Sequence, residues 1–84
     1  MKNKNALKVK AVAEKRLAWV KKSWPTDKDM LKGGQQDYED LMSIAQMFEN
    51  NEKPEAIGRA MWRLDTAVRD DIPDDVYYFR DVNR

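Results

Sequence analysis

The clearest hydrophobic pattern in this chain lies between two prolines, Pro54 and Pro73. Apolar side chains recur there at i, i+3, i+4 and i+7, the spacing that places them on one face of a helix. They are Ile57, Ala60, Met61, Leu64, Ala67 and Val68. Pro54 suits a first helical turn, where its missing N–H costs nothing, and Pro73 cannot continue a helix. The pattern therefore predicts a single amphipathic helix between the two prolines.

An earlier apolar stripe predicts a basic helix over residues 5–22. Its members are Ala6, Val9, Val12, Ala13, Leu17 and Val20. Asn3 or Asn5 is the expected N-cap, and Trp24 is pushed out of helical geometry because a proline follows it. Four lysines lie along the far side of this helix, namely Lys4, Lys8, Lys15 and Lys22.

Residues 23–36 are predicted to form a structured connector. Thr26 is its expected cap for one helical turn, and Gly33-Gly34 would end that turn in left-handed geometry. The next helix is predicted from Asp37 to Asn50, because an apolar face recurs there at helical spacing. That face comprises Tyr38, Leu41, Met42, Ile44, Ala45 and Phe48.

The last apolar positions, Val76, Phe79 and Val82, fall three apart and predict a short helix from Asp74 to about Val82. No stretch alternates between apolar and polar residues as a strand would. The sequence therefore predicts an all-α fold: one domain over residues 1–84, a small bundle of three main helices plus a short C-terminal helix. Its basic helix over residues 5–22 would join an acidic body over residues 37–82.

Composition narrows the function. The chain has 84 residues, of which 42% are hydrophobic and 37% charged, and it has neither Cys nor His. It therefore lacks thiolate chemistry, the commonest general base and the commonest metal ligand. We expect no catalytic residue, cofactor, metal site or membrane span, and a cytoplasmic, reducing environment. The acidic cluster at residues 70–75 matches no calcium-loop pattern.

Net charge hides an asymmetry between the two parts of the chain. Residues 1–22 hold eight Lys or Arg and one Glu, a net +7, whereas the remainder holds eight bases and fourteen acids, a net −6. Three interpretations stay open: phosphate contacts through the four lysines, binding to a membrane surface, or charge complementarity within the fold. Arg16 is the only arginine there, so nucleic-acid binding would show little base specificity.

Trp62 is the sharpest candidate for function. Helical spacing places it opposite Ile57 and Leu64, and Gly58 one turn earlier leaves room for another chain. Packing of Trp62 beneath the segment 76–79 or against the first helix is the structural alternative. Tryptophan, tyrosine and arginine anchor many protein interfaces. We expect a partner-binding surface formed by Trp62, Arg59, Arg63, Arg69, Tyr77 and Tyr78.

One local resemblance accompanies this pattern. Residues 71–79, DIPDDVYYF, resemble the closing stretch of the Hha/YmoA family of small helical partners of nucleoid proteins. In that family a helix ends at Ile-Pro and a short helix carries Val, an aromatic residue and Phe. The resemblance does not extend to the basic first helix, and we do not assign the chain to the family.

These observations predict a non-enzymatic, helical protein-binding module. A small Trp-rich chain without Cys or His is typical of a phage or mobile-element protein that inhibits or redirects a host protein by steric occlusion. The alternative is a nucleic-acid-binding or nucleoid-associated protein that uses the lysine-rich helix. Self-association into a homo-oligomer is a third possibility.

Overall fold

The computed structural model describes residues 3–79, and within that range it is helical without any strand. Its helices are α1 (Lys4–Ser23), α2 (Lys28–Glu49), α3 (Pro54–Trp62), α4 (Thr66–Asp70) and α5 (Asp74–Tyr77). Two are long, one is short and two are very short. The predicted small all-α bundle is confirmed.

Helices α1 and α2 form an antiparallel hairpin about 30 Å long. At its open end, Asn3 caps α1 by accepting from the backbone N–H groups of Asn5 and Ala6 at 2.8 and 3.1 Å. The same side chain donates to the Phe48 carbonyl near the end of α2, at 3.2 Å. At its closed end, Gly34 packs against Val20.

The hydrophobic core lies toward the open end of this hairpin, where α3, α4 and α5 contribute buried residues to it. The buried residues of this cluster are Ala6, Val9, Ala13, Leu41, Ile44, Ala45, Phe48, Ile57, Met61, Leu64, Val68, Ile72, Val76 and Phe79. Phe48 meets Phe79 edge to face, with ring centroids 4.8 Å apart. This geometry is favourable for aromatic rings and anchors the end of the described chain on α2.

The predicted connector over residues 23–36 is wrong. Helix α2 begins at Lys28 and passes through Gly33 and Gly34, neither of which has a positive φ. Asp27, not Thr26, is its N-cap and accepts from the Met30 N–H at 3.1 Å. Glycines are poor helix formers, but Gly34 is retained within α2 where the two long helices make close contact.

The predicted single helix between Pro54 and Pro73 is also wrong, because the chain breaks into α3 and α4 after Trp62. Asp65 is extended, with ψ 147°, and begins α4, whereas Leu64 is buried within the break. Asp65 occupies the N-cap position of α4 without a side-chain capping hydrogen bond, and Asp is a favoured residue at that position, which is a signal that the apolar periodicity obscured. Helix α5 is shorter than predicted, and Val82 lies outside the described residues.

Among the helices of residues 3–79, none combines the length and apolar character that crossing a bilayer requires.

Candidate protein-docking site

Trp62 ends α3 with its side chain 69% exposed, the highest exposure among the large hydrophobic residues of the described chain. Its neighbour Met61 is buried, as is Ile57 one turn earlier, because α3 turns these two toward the core. The outward placement that helical spacing predicts for Trp62 is therefore confirmed. Its role in binding stays a prediction.

The break after Trp62 brings Arg69 of α4 over the indole. The Arg69 guanidinium carbon lies 4.3 Å from the Trp62 ring centroid, within the range of a cation–π contact. Arg69 also donates to the Thr66 hydroxyl at 3.0 Å. These two contacts restrain the arginine and, through it, the indole, while most of the indole stays exposed.

Tyr77 and Tyr78 extend the aromatic surface. Their ring centroids are 4.7 Å apart and their planes lie at 78°, and Tyr78 is 54% exposed. Trp62 and both tyrosines line each of two depressions. We call these three residues the aromatic ridge.

The two depressions differ in their other residues. The first, of about 440 Å³, is completed by Glu55, Gly58, Arg59, Met61 and Phe79. The second, of about 420 Å³, is completed by Thr66, Arg69, Asp70, Ile72 and Asp74. We call the aromatic ridge and the two depressions together the Trp62 surface.

The structure brings five of the six predicted partner-binding residues together, and Arg63 lies apart. Arg59, Trp62, Arg69, Tyr77 and Tyr78 line the Trp62 surface. Arg63 instead lines a smaller depression of about 210 Å³ between α2 and α3. The residues around it there are Asp40, Ser43, Ile44, Met47, Ala60 and Leu64. Adjacent helical residues point about 100° apart, so Arg63 turns away from Trp62.

The four lysines of the predicted nucleic-acid contact, Lys4, Lys8, Lys15 and Lys22, are exposed along α1. One of them is engaged within the fold: Lys8 pairs with Asp75. The hydrogen bond from Lys8 is the main reason why the pKa of the Asp75 carboxyl is lowered. The apolar face of α1, with Val9 and Ala13, is buried in the core, whereas Leu7 and Trp19 on the same helix are exposed.

Two further basic residues join α1 to the acidic body. Lys10 pairs with Glu49 at 3.0 Å. Arg16 pairs with Asp71 at 2.8 Å and with Asp37 at 3.5 Å. Burial nevertheless raises the pKa of the Asp37 carboxyl, because desolvation outweighs the attraction of Arg16. Part of the charge asymmetry along the sequence is therefore matched inside the fold.

Trp19 lies outside the core, with 48% of its surface exposed. It borders a groove of about 530 Å³ between α1 and α4, together with Val12, Lys15, Arg16, Ala67, Asp70 and Asp71. Its ring also meets Trp24 edge to face at 4.8 Å. The sequence held a signal for this position, since Trp19 follows Lys15 by one helical turn and so shares the lysine face.

The acidic cluster forms no metal site in the described part of the chain, where no group of three or more metal-binding side chains converges. Asp71 is engaged by Arg16 and Asp75 by Lys8. Comparisons of the chain with protein-family models, curated proteins and solved structures found no match. The case for function therefore rests on the geometry of the surfaces described above.

Proposed function

We propose that this chain is a non-enzymatic protein-binding module that docks on a partner protein through the Trp62 surface. The observation that carries the proposal is the 69% exposure of Trp62 beside Arg69 and the two tyrosines. Tryptophan, tyrosine and arginine are the residues most enriched at the energetic centres of interfaces. Removing apolar surface of this ridge from water contributes about 25 cal/mol for each Å², before the entropic cost of association is subtracted.

The surface is suited to docking because its central side chain is restrained before a partner arrives. The Arg69 guanidinium lies over the Trp62 ring and also donates a hydrogen bond to the Thr66 hydroxyl. Binding then orders fewer side chains, and each side chain ordered on binding costs about 0.5–1.5 kcal/mol. The docked chain would act by steric occlusion, covering the surface that its partner uses for other contacts.

The test compares two tryptophan variants as bait in extracts of the source organism. Trp62→Ala removes the proposed anchor, and Trp19→Ala is its matched control because Trp19 is exposed in a different groove. We expect a protein that is retained by the wild type and Trp19→Ala and lost with Trp62→Ala. With that protein purified, Trp62→Ala should weaken binding by at least about thirtyfold.

The same material tests nucleic-acid binding through Lys4, Lys8, Lys15 and Lys22. If those lysines track phosphates, log K for a DNA duplex should fall with log salt at a slope of about −3 to −4, and Trp62→Ala should leave it unchanged. The double variant Lys15→Glu/Lys22→Glu should then abolish binding. That pattern, with no protein lost on Trp62→Ala, would overturn the proposal in favour of the lysine-rich helix.

A further inference from the structure

The outward side of α1 carries charge of almost a single sign. Exposed positions recur along it at i, i+3, i+4 and i+7, on the side opposite the buried face. Four lysines lie there within about 40° of one another around the helix, since successive residues are about 100° apart. They are Lys4, Lys8, Lys15 and Lys22, and we call them the lysine row.

The lysine row keeps most of its charge available for a ligand. Within residues 3–79 only one of its members, Lys8, forms an ion pair, with Asp75. Glu14 is the only acid of α1. The row is about 27 Å long, at a rise of about 1.5 Å per residue. Its length and its sign therefore fit an extended anionic surface better than a single small anion.

Apolar side chains border the lysine row on both sides. Leu7 is 44% exposed and Trp19 is 48% exposed. Helical spacing places each of them about 60° around the helix from Lys4, in opposite directions. Ala11 and Ala18 are exposed between Leu7 and the row. The outward side of α1 therefore combines a row of lysines with exposed apolar surface at its borders.

This combination favours an anionic lipid surface over a nucleic-acid backbone. Contacts with phosphates draw on the lysines alone and give no favourable place to an exposed leucine or indole. At a bilayer surface, lysines reach the headgroups while neighbouring apolar side chains enter the boundary with the acyl chains. Tryptophan is enriched at this boundary. A straight helix also presents its whole row to a plane at once.

We infer that the outward side of α1 binds the surface of an anionic lipid bilayer, with the helix lying parallel to the headgroups. Leu7 and Trp19 enter the boundary at the two borders, and the lysine row contacts the headgroups between them. Two acids on this side of the fold, Asp71 and Asp75, are already paired with basic residues of α1. The inference goes beyond the proposed function, because the Trp62 surface contains no residue of α1.

Flotation with lipid vesicles tests the charged part of the inference. The 84-residue chain should float with vesicles of phosphatidylcholine that contain about 30% phosphatidylglycerol, and not with phosphatidylcholine alone. Lys15→Gln/Lys22→Gln should lower the partition coefficient about 25-fold, at about fivefold for each lysine. Lys28→Gln/Lys32→Gln makes the same charge change at exposed positions of α2 and should lower the partition coefficient far less.

Tryptophan variants test the apolar part. Trp19→Ala should lower the partition coefficient about tenfold, and Trp62→Ala should leave it unchanged because Trp62 belongs to α3. Lipids with brominated acyl chains should quench the fluorescence of Trp24→Phe/Trp62→Phe, in which Trp19 is the only tryptophan left. The same lipids should leave Trp19→Phe/Trp24→Phe, which retains only Trp62, unquenched.

Four results would overturn the inference. One is a chain that does not float with anionic vesicles even at low salt. Another is flotation that survives Lys15→Gln/Lys22→Gln, because it would use a different surface. A third is flotation that depends on the lysines but not on Trp19→Ala. The last is binding to a DNA duplex but to no vesicle, which would assign the row to nucleic acid. Circular dichroism confirms that each variant is folded, and none of these results bears on the partner test of Trp62→Ala.

Discussion

Gly34 of α2 lies so close to Val20 of α1 that a Cβ atom added to Gly34 would stand 2.9 Å from the Val20 Cγ1 atom. It would also stand 3.1 Å from both Cβ and Cγ2 of the same side chain. The neighbouring Gly33 has nothing within 4 Å of the corresponding position. Two adjacent helical glycines therefore have different roles, and only Gly34 serves the contact between the long helices.

This difference predicts opposite effects of the same substitution. Gly33→Ala should raise the free energy of unfolding by about 1 kcal/mol, because alanine is the better helix former and meets no neighbour. Gly34→Ala gains the same propensity but overpacks the contact with Val20, which typically costs about 1–3 kcal/mol. Urea unfolding should give Gly34→Ala a clearly lower free energy of unfolding than Gly33→Ala.

A double variant separates the clash from other causes. Val20→Ala removes both methyl groups that crowd position 34, so Gly34→Ala should be less harmful in that background than in the wild type. If Gly33→Ala and Gly34→Ala have the same free energy of unfolding in the protein that retains Val20, the close contact is contradicted.

The glycine pair also shows where a sequence pattern is ambiguous. Gly33-Gly34 predicts a helix end from local preference, but the packing partner that overrides this preference, Val20, is more than ten residues away and cannot be inferred from propensity alone. The break after Trp62 is the reverse case, because continuous apolar spacing hid a local N-cap at Asp65. Periodicity predicted which face is buried better than it predicted where each helix begins and ends.

The candidate site was predictable to the extent that it depends on a single helix. Helical spacing along α3 correctly predicted that Trp62 faces outward. It did not predict that Arg69 would stack on the indole, since that contact needs the break between α3 and α4. The prediction also grouped Arg63 with these residues because Arg63 follows Trp62 in sequence. Adjacent helical residues point about 100° apart, and Arg63 lines a different depression.

The Asn3 cap gives the next prediction. Asn3→Ala removes the acceptor for two backbone N–H groups at the start of α1 and the donor to the Phe48 carbonyl. It should lower the free energy of unfolding by about 1–2 kcal/mol. Thermal unfolding of Asn5→Ala is the control, since α1 contains Asn5 within its first turn and alanine is favoured there. Equal losses from the two variants would argue against Asn3 as the cap.

Trp62 and Met61, adjacent at the end of α3, should differ in how much each supports the folded state. Trp62→Ala should change the free energy of unfolding by no more than about 1 kcal/mol, because the indole is exposed and loses chiefly its contact with Arg69. Met61→Ala should cost about 2–5 kcal/mol, because Met61 is only 2% exposed. A large loss on Trp62→Ala in urea unfolding would show that its indole supports the fold and would weaken its use as a binding probe.

Asp37 gives a prediction about pH. Burial raises the pKa of its carboxyl above 3.8 even though Arg16 lies 3.5 Å away. The folded state therefore binds this proton more tightly than the unfolded chain does. Its contribution to stability is fully present below pH 3.8 and is lost as pH rises through the folded-state pKa.

Asp37→Asn removes that dependence. The free energy of unfolding of this variant, relative to the wild type, should therefore increase with pH across the same window. Arg16 keeps Asp71 as a partner at 2.8 Å, so the variant does not leave the guanidinium without a carboxylate. Urea unfolding from about pH 3 to pH 6 measures the difference, and NMR titration of the Asp37 carboxyl measures its cause. A titration midpoint below 3.8 would show that attraction to Arg16, and not desolvation, dominates at this site.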